Sequence, residues 1–481
     1  MSRGTVLDLC YLVAAITFII ALMGLSSPRH ARRGNLVAAA GMTLAIGATF
    51  AQPHLHHLGW MIAAMVLGAA VAVPTSRFVK MTAIPQLVAI FNGVGGGAAA
   101  LVSITEYLAL TATTRDCDIL RSPPGCLVFG GAKEVAVYKI LEVVLGVIIG
   151  TVSFSGSAIA FAKLQELMTG RPVTYPAQQV LNAVLGVAIV VVGALLLVTG
   201  SLVWLWILLA LALVLGVAFV LPIGGADVPV LISLLNSFTG IAVAASGFTI
   251  GSNLLIVAGT LVGASGILLT RMMSSAMGRS LPNILFSAFG SVVTASGSTD
   301  APGGRSVRSG TADDIGVLLA YSRKVVIIPG YGLAVAQAQH VVRELADTLK
   351  ARGVEVFFAI HPVAGRMPGH MNVLLAEANV PYDELKEMDE ANPELPTADV
   401  ALVVGANDTV NPAAKSSPGS PIYGMPIINA DEAANVVFLK RSMRPGFAGI
   451  DNDLLYNDKT VLLFGDAKDT LTALVAAVKA A

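Results

Sequence analysis

The sequence predicts a multi-span α-helical membrane domain of about nine helices, followed by a C-terminal α/β domain built on a doubly wound parallel sheet. Three observations lead there. Apolar residues make up 55% of the 481-residue chain and charged residues only 12%, with a mean hydropathy of +0.77, whereas water-soluble domains carry roughly 25% charged residues. The charges are sparse up to about Thr270 and dense after Asp300, so the chain meets two solvents. Beyond that point, β-rich runs alternate with helical patterns, as parallel strands with crossover helices require.

Nine apolar stretches approach the roughly 20 residues needed to cross a bilayer: 5–25, 35–51, 58–74, 84–105, 137–161, 180–200, 202–221, 228–247 and 252–270. The first is read as a span rather than a secretory signal. Its apolar run is longer than a typical signal core, and Arg29, Arg32 and Arg33 follow it. Basic residues mark the cytoplasmic side. One set of loops holds Arg29, Arg32, Arg33, Arg77, Lys80, Lys163, Arg171, Arg271 and Arg279; the other holds mainly Arg3, Arg115, Arg121 and Lys133. The N-terminus is therefore expected outside and everything after Arg271 in the cytoplasm. A formal net charge of zero excludes nucleic acid as an electrostatic partner. Cys117 and Cys126 share one external loop, where a disulfide can persist; two free thiols are the alternative.

The spans are rich in small residues, among them Gly93, Gly95, Gly96 and Gly97 and, later, Gly259, Gly263 and Gly266. These permit close helix approach in lipid. Residues 291–312 run in Ser, Thr, Gly and Pro without periodicity, the composition of a flexible connector. The expected division is a membrane domain over 1–275, a cytoplasmic linker over 276–312 and a nucleotide domain over 313–481.

In that last domain the expected elements are a strand at Val325–Pro329, a helix at Leu333–Ala351, and strands at Val354–Ile360, Ala398–Val404, Asn435–Leu439 and Thr460–Gly465. The first strand runs into Gly330-Tyr331-Gly332-Leu333-Ala334-Val335-Ala336. Gly330 and Gly332 allow a tight turn and close backbone approach to a pyrophosphate, which makes the domain Rossmann-like. Val335 stands where the third glycine of that fingerprint belongs. An acid that would hold the ribose 2′-OH of NAD is missing, because the second strand ends in Ile360-His361-Pro362. Lys440, Arg441 and Ser442 at another strand's end suit a 2′-phosphate, hence NADP; a solvated charge pair is the bland alternative. Further polar, glycine-bearing loops run over 361–370, 405–412 and 465–468. Four such loops at strand carboxyl ends imply a nucleotide cleft.

Taken together, these motifs resemble the beta subunit of the proton-translocating NAD(P) transhydrogenase family. The resemblance is carried by GGADVPVLISLLNSFTG at 224–240, PGYGLAVAQAQ at 329–339, HPVAGRMPGHMNVLLAEANVPYDE at 361–384, GANDTVNPAA at 405–414, KRS at 440–442 and GDAK at 465–468. It implies hydride transfer between NADH, held on a separate alpha subunit, and NADP(H) held here, coupled to proton translocation across a bacterial cytoplasmic (inner) membrane by a dimer of protomers. It also implies catalytic roles for Asp408 and His361 near the nicotinamide, with Val363, Ala364, Gly365, Arg366, Met367 and Gly369 around them. Gly405, Asn407 and Thr409 would line the cleft, Gly465, Asp466 and Ala467 its far side, and Lys440, Arg441 and Ser442 the 2′-phosphate. Residues 444–452 match a mobile lid in which Phe447 replaces the family's frequent tyrosine, putting one hydroxyl contact in question.

Polar side chains inside a bilayer are costly and often mark ion paths. Asn92, Asn236 and Glu142 lie within spans and Asp227 just before one; interhelical hydrogen bonding is the alternative for the two amides. The resemblance favours a proton path for Asn92 and Asn236. Some family members have histidine at Asn92, and an amide cannot titrate near neutral pH, so the relay histidine is expected on the partner subunit. His54, His56 and His57 read as solvated. Coupling is expected through Ser265 and Arg279. Two rivals remain at this level, a transporter or channel gated by a cytosolic NADP-sensing domain and a non-enzymatic NADP-binding assembly subunit. No TVGYG-like filter is present to support a potassium channel.

Overall fold

The computed structural model describes residues 3–25, 30–52, 57–79, 83–113, 137–165, 167–168, 173–224, 227–276, 280–286, 307–365, 369–417, 422–443 and 451–481. Among them are nine long helices: α1 (Arg3–Leu25), α2 (Ala31–Phe50), α3 (Leu58–Phe78), α4 (Ile84–Thr113), α5 (Val137–Leu164), α6 (Gln178–Thr199), α7 (Leu202–Val220), α8 (Val228–Ile250) and α9 (Asn253–Ala276). Eight are long and apolar enough to cross a membrane; α2 falls short because Arg32, Arg33 and Asn35 occupy its first turns. Several helices outrun their apolar stretches, since a backbone leaving hydrocarbon keeps its internal hydrogen bonds as far as the interface. The chain divides into two compact units, one of residues 1–79, 86–223 and 231–270, the other of 80–85, 224–230 and 271–481.

In the first unit α5 is a hub, and small residues decide how closely its neighbours pass. A Cβ on Gly96 of α4 would lie 2.9 Å from Gly150 O of α5, and one on Gly216 of α7 would strike Ser155 and the Val152 carbonyl. The α8–α9 pair is also in backbone contact. A Cβ on Gly259 would come within 2.5 Å of Ala244 N, and one on Gly266 within 2.9 Å of Ser237. That proximity lets Ser237 Oγ donate to Gly263 O at 2.7 Å across the interface. Backbone contact of this kind replaces the hydrophobic drive that lipid cannot supply.

The second unit carries a seven-stranded, all-parallel sheet of β1 (Arg308–Ser309), β2 (Lys324–Pro329), β3 (Glu355–Ile360), β4 (Leu385–Glu387), β5 (Val400–Val404), β6 (Asn435–Lys440) and β7 (Thr460–Phe464). The order is β1-β7-β6-β5-β2-β3-β4. From β2 the chain winds outward one way through β3 and β4, and from β5 the other way through β6 and β7. The winding therefore reverses between β2 and β5. Alternate residues feed two cores: Val325, Ile327 and Phe358 face one, Val326, Ile328 and Phe357 the other. Burial on both faces explains why the strands read as continuous apolar runs.

Three features depart from the sequence expectation. The last residues of the stretch read as connector, Arg308–Ser309, pair with β7 and leave it an edge no longer. A short β4 closes the other side; its three polar-flanked residues carry no strand signal. The helix expected over Leu333–Ala351 is two helices, Tyr331–Val335 and Gln339–Ala351. Gln337 adopts a left-handed φ of 52°, and Ala338 N–H bonds back to Leu333 O at 3.2 Å, a helix-ending arrangement.

Gly259→Val should separate α8 from α9. Since the obstructing atoms are backbone, at least about 1–3 kcal/mol of stability should be lost; an unfolding midpoint in detergent equal to that of the parent protein would refute this.

Candidate functional site

The sheet register brings the carboxyl ends of its central strands level, with Pro329 opposite Val404, Val404 opposite Leu439, and Lys440 opposite Phe464. The loops beginning at Gly330, Gly405, Arg441 and Gly465 thus leave one edge of the sheet, with the reversal of winding at its middle. Ligands of doubly wound sheets bind at such a reversal.

There the first two loops touch backbone to backbone. Gly330 N–H donates to Val404 O and Gly332 N–H to Gly405 O, each at 2.9 Å. A Cβ on Gly330 would overlap the Ala406 backbone, and one on Gly332 would sit 2.7 Å from the α-carbon of Gly405. Gly405 itself has a φ of 71°, open to glycine with little strain. The missing third glycine has a physical reason: Val335 is 44% exposed, so no close helix–strand contact demands glycine there.

Beyond Gly405 the chain supplies the polar groups. Asn407 Nδ2 donates to Asp408 Oδ1 at 3.0 Å, while Asn407 Oδ1 is buried without a hydrogen-bond partner among the described residues. Asn452 Nδ2 holds Asn407 O, and Asn411 Nδ2 holds Asp451 O, both at 3.0 Å. Lys440, half-buried at the end of β6, feels both carboxylates. Burial lowers its pKa from the usual lysine range, and the charges of Asp451 and Asp408 partly restore it. Arg441 and Ser442 are exposed. Thr409 is fixed through its carbonyl, which accepts from Ile428 N–H at 2.9 Å. Gly465 N–H donates to Lys440 O at 3.2 Å, and Asp466 caps the C-terminal helix that begins at Ala467.

The loop after β3 is folded around His361, which is 1% exposed. Its Nε2 faces Pro426 O at 2.8 Å, and its Nδ1 accepts from Val363 N–H at 3.2 Å. A carbonyl can only accept and an amide N–H only donate, so the ring is the neutral Nε2–H tautomer with both nitrogens engaged. The buried Ala364 follows in the turn, and Gly365, at a φ of 105°, lies so close over the His370 ring that a Cβ would collide with it. Gly369, at a φ of 66°, starts the helix His370–Glu377. His370 in turn stands beside Tyr331, ring centroids 6.1 Å apart, which ties this loop to the one after β2; Ala336 ends the short helix there. Val363 packs on an apolar cluster of Val230, Met273, Leu281 and Ile284, all within the second unit.

Inside the first unit, the structure joins Asn92 to residues that sequence reading passed over. Asn92 Nδ2 donates to Ser157 Oγ at 2.9 Å and to Ser153 Oγ at 3.3 Å. Ser153 Oγ reaches Thr239 Oγ1 at 2.6 Å and Leu235 O at 2.9 Å. Asn92 Oδ1 is buried with no partner among the described residues. A second pair, Ser103 and Ser246, meets at 3.3 Å further along α4 and α8. Asn236 is half-buried and outside this network, and Ser265 Oγ bonds its own helix at Val262 O. Asp227 is buried and lies in the second unit; Glu142 lies on α5 with Oε2 buried. The signal for Ser153 and Ser157 was their spacing of four, which puts both on one helix face. Arg279, Arg366, Met367, Phe447, Cys117, Cys126, His54 and His56 lie outside the described residues, and His57 is exposed at the start of α3.

Burial holds the His361 imidazole below its ordinary value of 6.5, opposed by its bond to Pro426. The unfolded chain then binds a proton that the folded one refuses, so this group's contribution to stability is full above pH 6.5 and lost as pH falls below it. His361→Gln should flatten the fall of the unfolding midpoint between about pH 7 and pH 5. An unaltered slope would count against it.

The family described as NAD(P) transhydrogenase beta subunit matches residues 7–477. The NAD(P) transhydrogenase subunit beta of Rhodospirillum rubrum, and the same subunit from a defined strain of that organism, are each 48% identical to this chain over 468 residues, covering 97% of it and 98% of the relative. Because the match runs nearly end to end through both the helical unit and the sheet, the chain belongs to the NAD(P) transhydrogenase beta subunit family.

Proposed function

We propose that this subunit binds NADP(H) at the reversal between β2 and β5 and, with an alpha subunit that holds NAD(H), couples hydride transfer to proton translocation. The observation that carries the reading is the meeting there of Gly330, Gly332 and Gly405 with Asn407, Asp408 and Lys440. The glycines bring the two loops into backbone contact that any Cβ would break. Asn407 Oδ1, buried and without a described partner, suits an amide-bearing ligand such as nicotinamide. The nucleotide's chemistry is hydride transfer between the C4 positions of two nicotinamide rings, NADH and NADP+ giving NAD+ and NADPH.

The chain's own residues position and neutralise. Lys440 supplies a cation for a 2′-phosphate, with Arg441 and Ser442 beside it in sequence. Asp408 and Asn407 stand at the nicotinamide end, joined to each other and fixed by Asn452. Gly465, Asp466 and Ala467 bound the cleft at β7. His361, with both nitrogens engaged, shapes the loop of Val363, Ala364 and Gly365 rather than exchanging protons. The proton step belongs to the line of Asn92, Ser157, Ser153 and Thr239, where hydroxyls can pass a proton through water held at Asn92 Oδ1; Asn236, Asp227, Ser265 and Arg279 are kept as further members. Support for coupling to the nucleotide comes from Val363, packed on Val230 and Met273 at the ends of α8 and α9.

The division into membrane domain (1–275), linker (276–312) and nucleotide domain (313–481) follows the same reading, as do a dimer of protomers and a bacterial inner membrane with the N-terminus outside. The complex with its alpha subunit, sealed into vesicles and given NADH and an NADP+ analogue, should transfer hydride and move protons together. Bound nucleotide without hydride transfer would overturn the reading.

Two variants refine it. Lys440→Ala should weaken NADP(H) binding by about 1.5–3 kcal/mol, the worth of a charged hydrogen bond, or roughly 10- to 150-fold. Calorimetry on the intact complex checks it, and unchanged affinity would refute the assignment. Asn92→Leu should cut proton movement about tenfold or more while Asn92→His retains it, since histidine still hydrogen-bonds where leucine cannot and adds a titrating group; equal rates for the two in a pH-dye assay would remove Asn92 from the path.

A further inference from the structure

Lys163 is the one lysine among the described residues whose side chain is fully buried, at 2% exposure near the end of α5. An ammonium group has three N–H donors and no acceptor. Each finds a carbonyl: Lys163 Nζ donates to Leu221 O at 2.5 Å, to Ile223 O at 2.7 Å and to Val220 O at 3.2 Å. No carboxylate lies within ion-pair distance among the described residues. The compensating charge is instead the negative end of α7, whose last carbonyls have no partner inside the helix.

Two more bonds gather at the same place. Gln86 Nε2, buried at the start of α4, donates to Leu164 O at 3.1 Å, and Val173 N–H donates to Leu221 O at 3.1 Å. The end of α5, the start of α4 and the exit of α7 are thus drawn together around one cation. α8 begins at Val228, a few residues after Ile223 in the sequence. That helix supplies Leu235 O and Thr239 to Ser153, which lies on the same α5 as Lys163.

We propose that Lys163 is a positioning residue for proton movement, its three donors fixing residues 220–223 at the exit of α7 and thereby the placement of α8 against Ser153. This rests on the proton path proposed above. A filler of the same length would preserve packing but remove three donors, leaving Ile223 O without its ammonium partner and Val220 O and Leu221 O with one backbone N–H each, so charge and hydrogen bonding, not bulk, are what the position requires.

The test uses the complex with its alpha subunit in sealed vesicles, comparing Lys163→Met, Lys163→Gln and Lys163→Arg with the parent. Protons moved per hydride should fall at least fivefold in the Met variant with the KM for both nucleotides unchanged, fall less in Gln, and stay within twofold of the parent in Arg. Hydrogen exchange at residues 221–224 should rise at least tenfold in Met and follow the same order. Should Met fail to assemble, the Gln and Arg variants still decide. A parental proton ratio and parental exchange in Met or Gln would overturn the proposal, as would hydride transfer and proton movement falling in equal proportion with parental exchange. A parent complex that transfers hydride but moves no protons overturns the proton path itself.

Discussion

The contact on which the sheet-bearing half depends is that of two loops at the centre of the sheet. Gly330 and Gly332 press on Gly405 and Ala406 with no side chain between them, and their N–H groups bond across to Val404 and Gly405. The polar groups at that sheet edge are referred to that contact. Asn407 and Asp408 follow Gly405 directly, Tyr331 follows Gly330, and Tyr331 then sets His370 and the loop above it. A sheet wound in both directions from adjacent strands has only one place where such a contact can form. The all-parallel register makes it possible by ending β2, β5 and β6 at one level.

A related economy of side chains governs the helical half. Glycine at 96, 150, 216, 240 and 259 brings backbones together, and buried hydroxyls then bond across the gaps. The two effects depend on each other. A serine hydroxyl reaches only a short way, so Ser153 can touch both Asn92 and Thr239 only because α4, α5 and α8 run so close. In hydrocarbon, the alternative to that bonding is an unpaired polar group, expensive in a solvent without water.

How far this was legible in the sequence follows from what each feature needs. Spans and strands are local patterns of apolarity, and the helices and central strands stand close to where the periodicity puts them. The glycines of the cleft were readable because their position after a strand carries a mechanism. What escaped was anything set by distant partners. Arg308–Ser309 is a strand only because β7 offers it an edge, and β4 only because β3 does. Ser153 looked like one more small residue in an apolar helix, and its role depends on α4 and α8, both remote from it along the chain. Lys163 counted as a cytoplasmic charge in the orientation argument; its burial follows from where α7 happens to end.

The amide at Asn92 gives these observations a direction. It can hold Ser153 and Ser157 in line and offer Oδ1 to water, but it has no proton to store. If the proposed path is one of amide and hydroxyls, it conducts without storing a proton, and direction has to come from groups whose charge or contacts change. On the proposed reading such groups are those at the sheet edge, where the charges of Asp408 and Asp451 act on the half-buried Lys440 and Val363 packs with Val230 and Met273. The exit of α7, which precedes α8 in the chain, is held by the ammonium of Lys163. Under the reading proposed above, α8 is the helix on which direction turns, because the same α5 that bonds its Thr239 through Ser153 also holds the exit of α7 through Lys163.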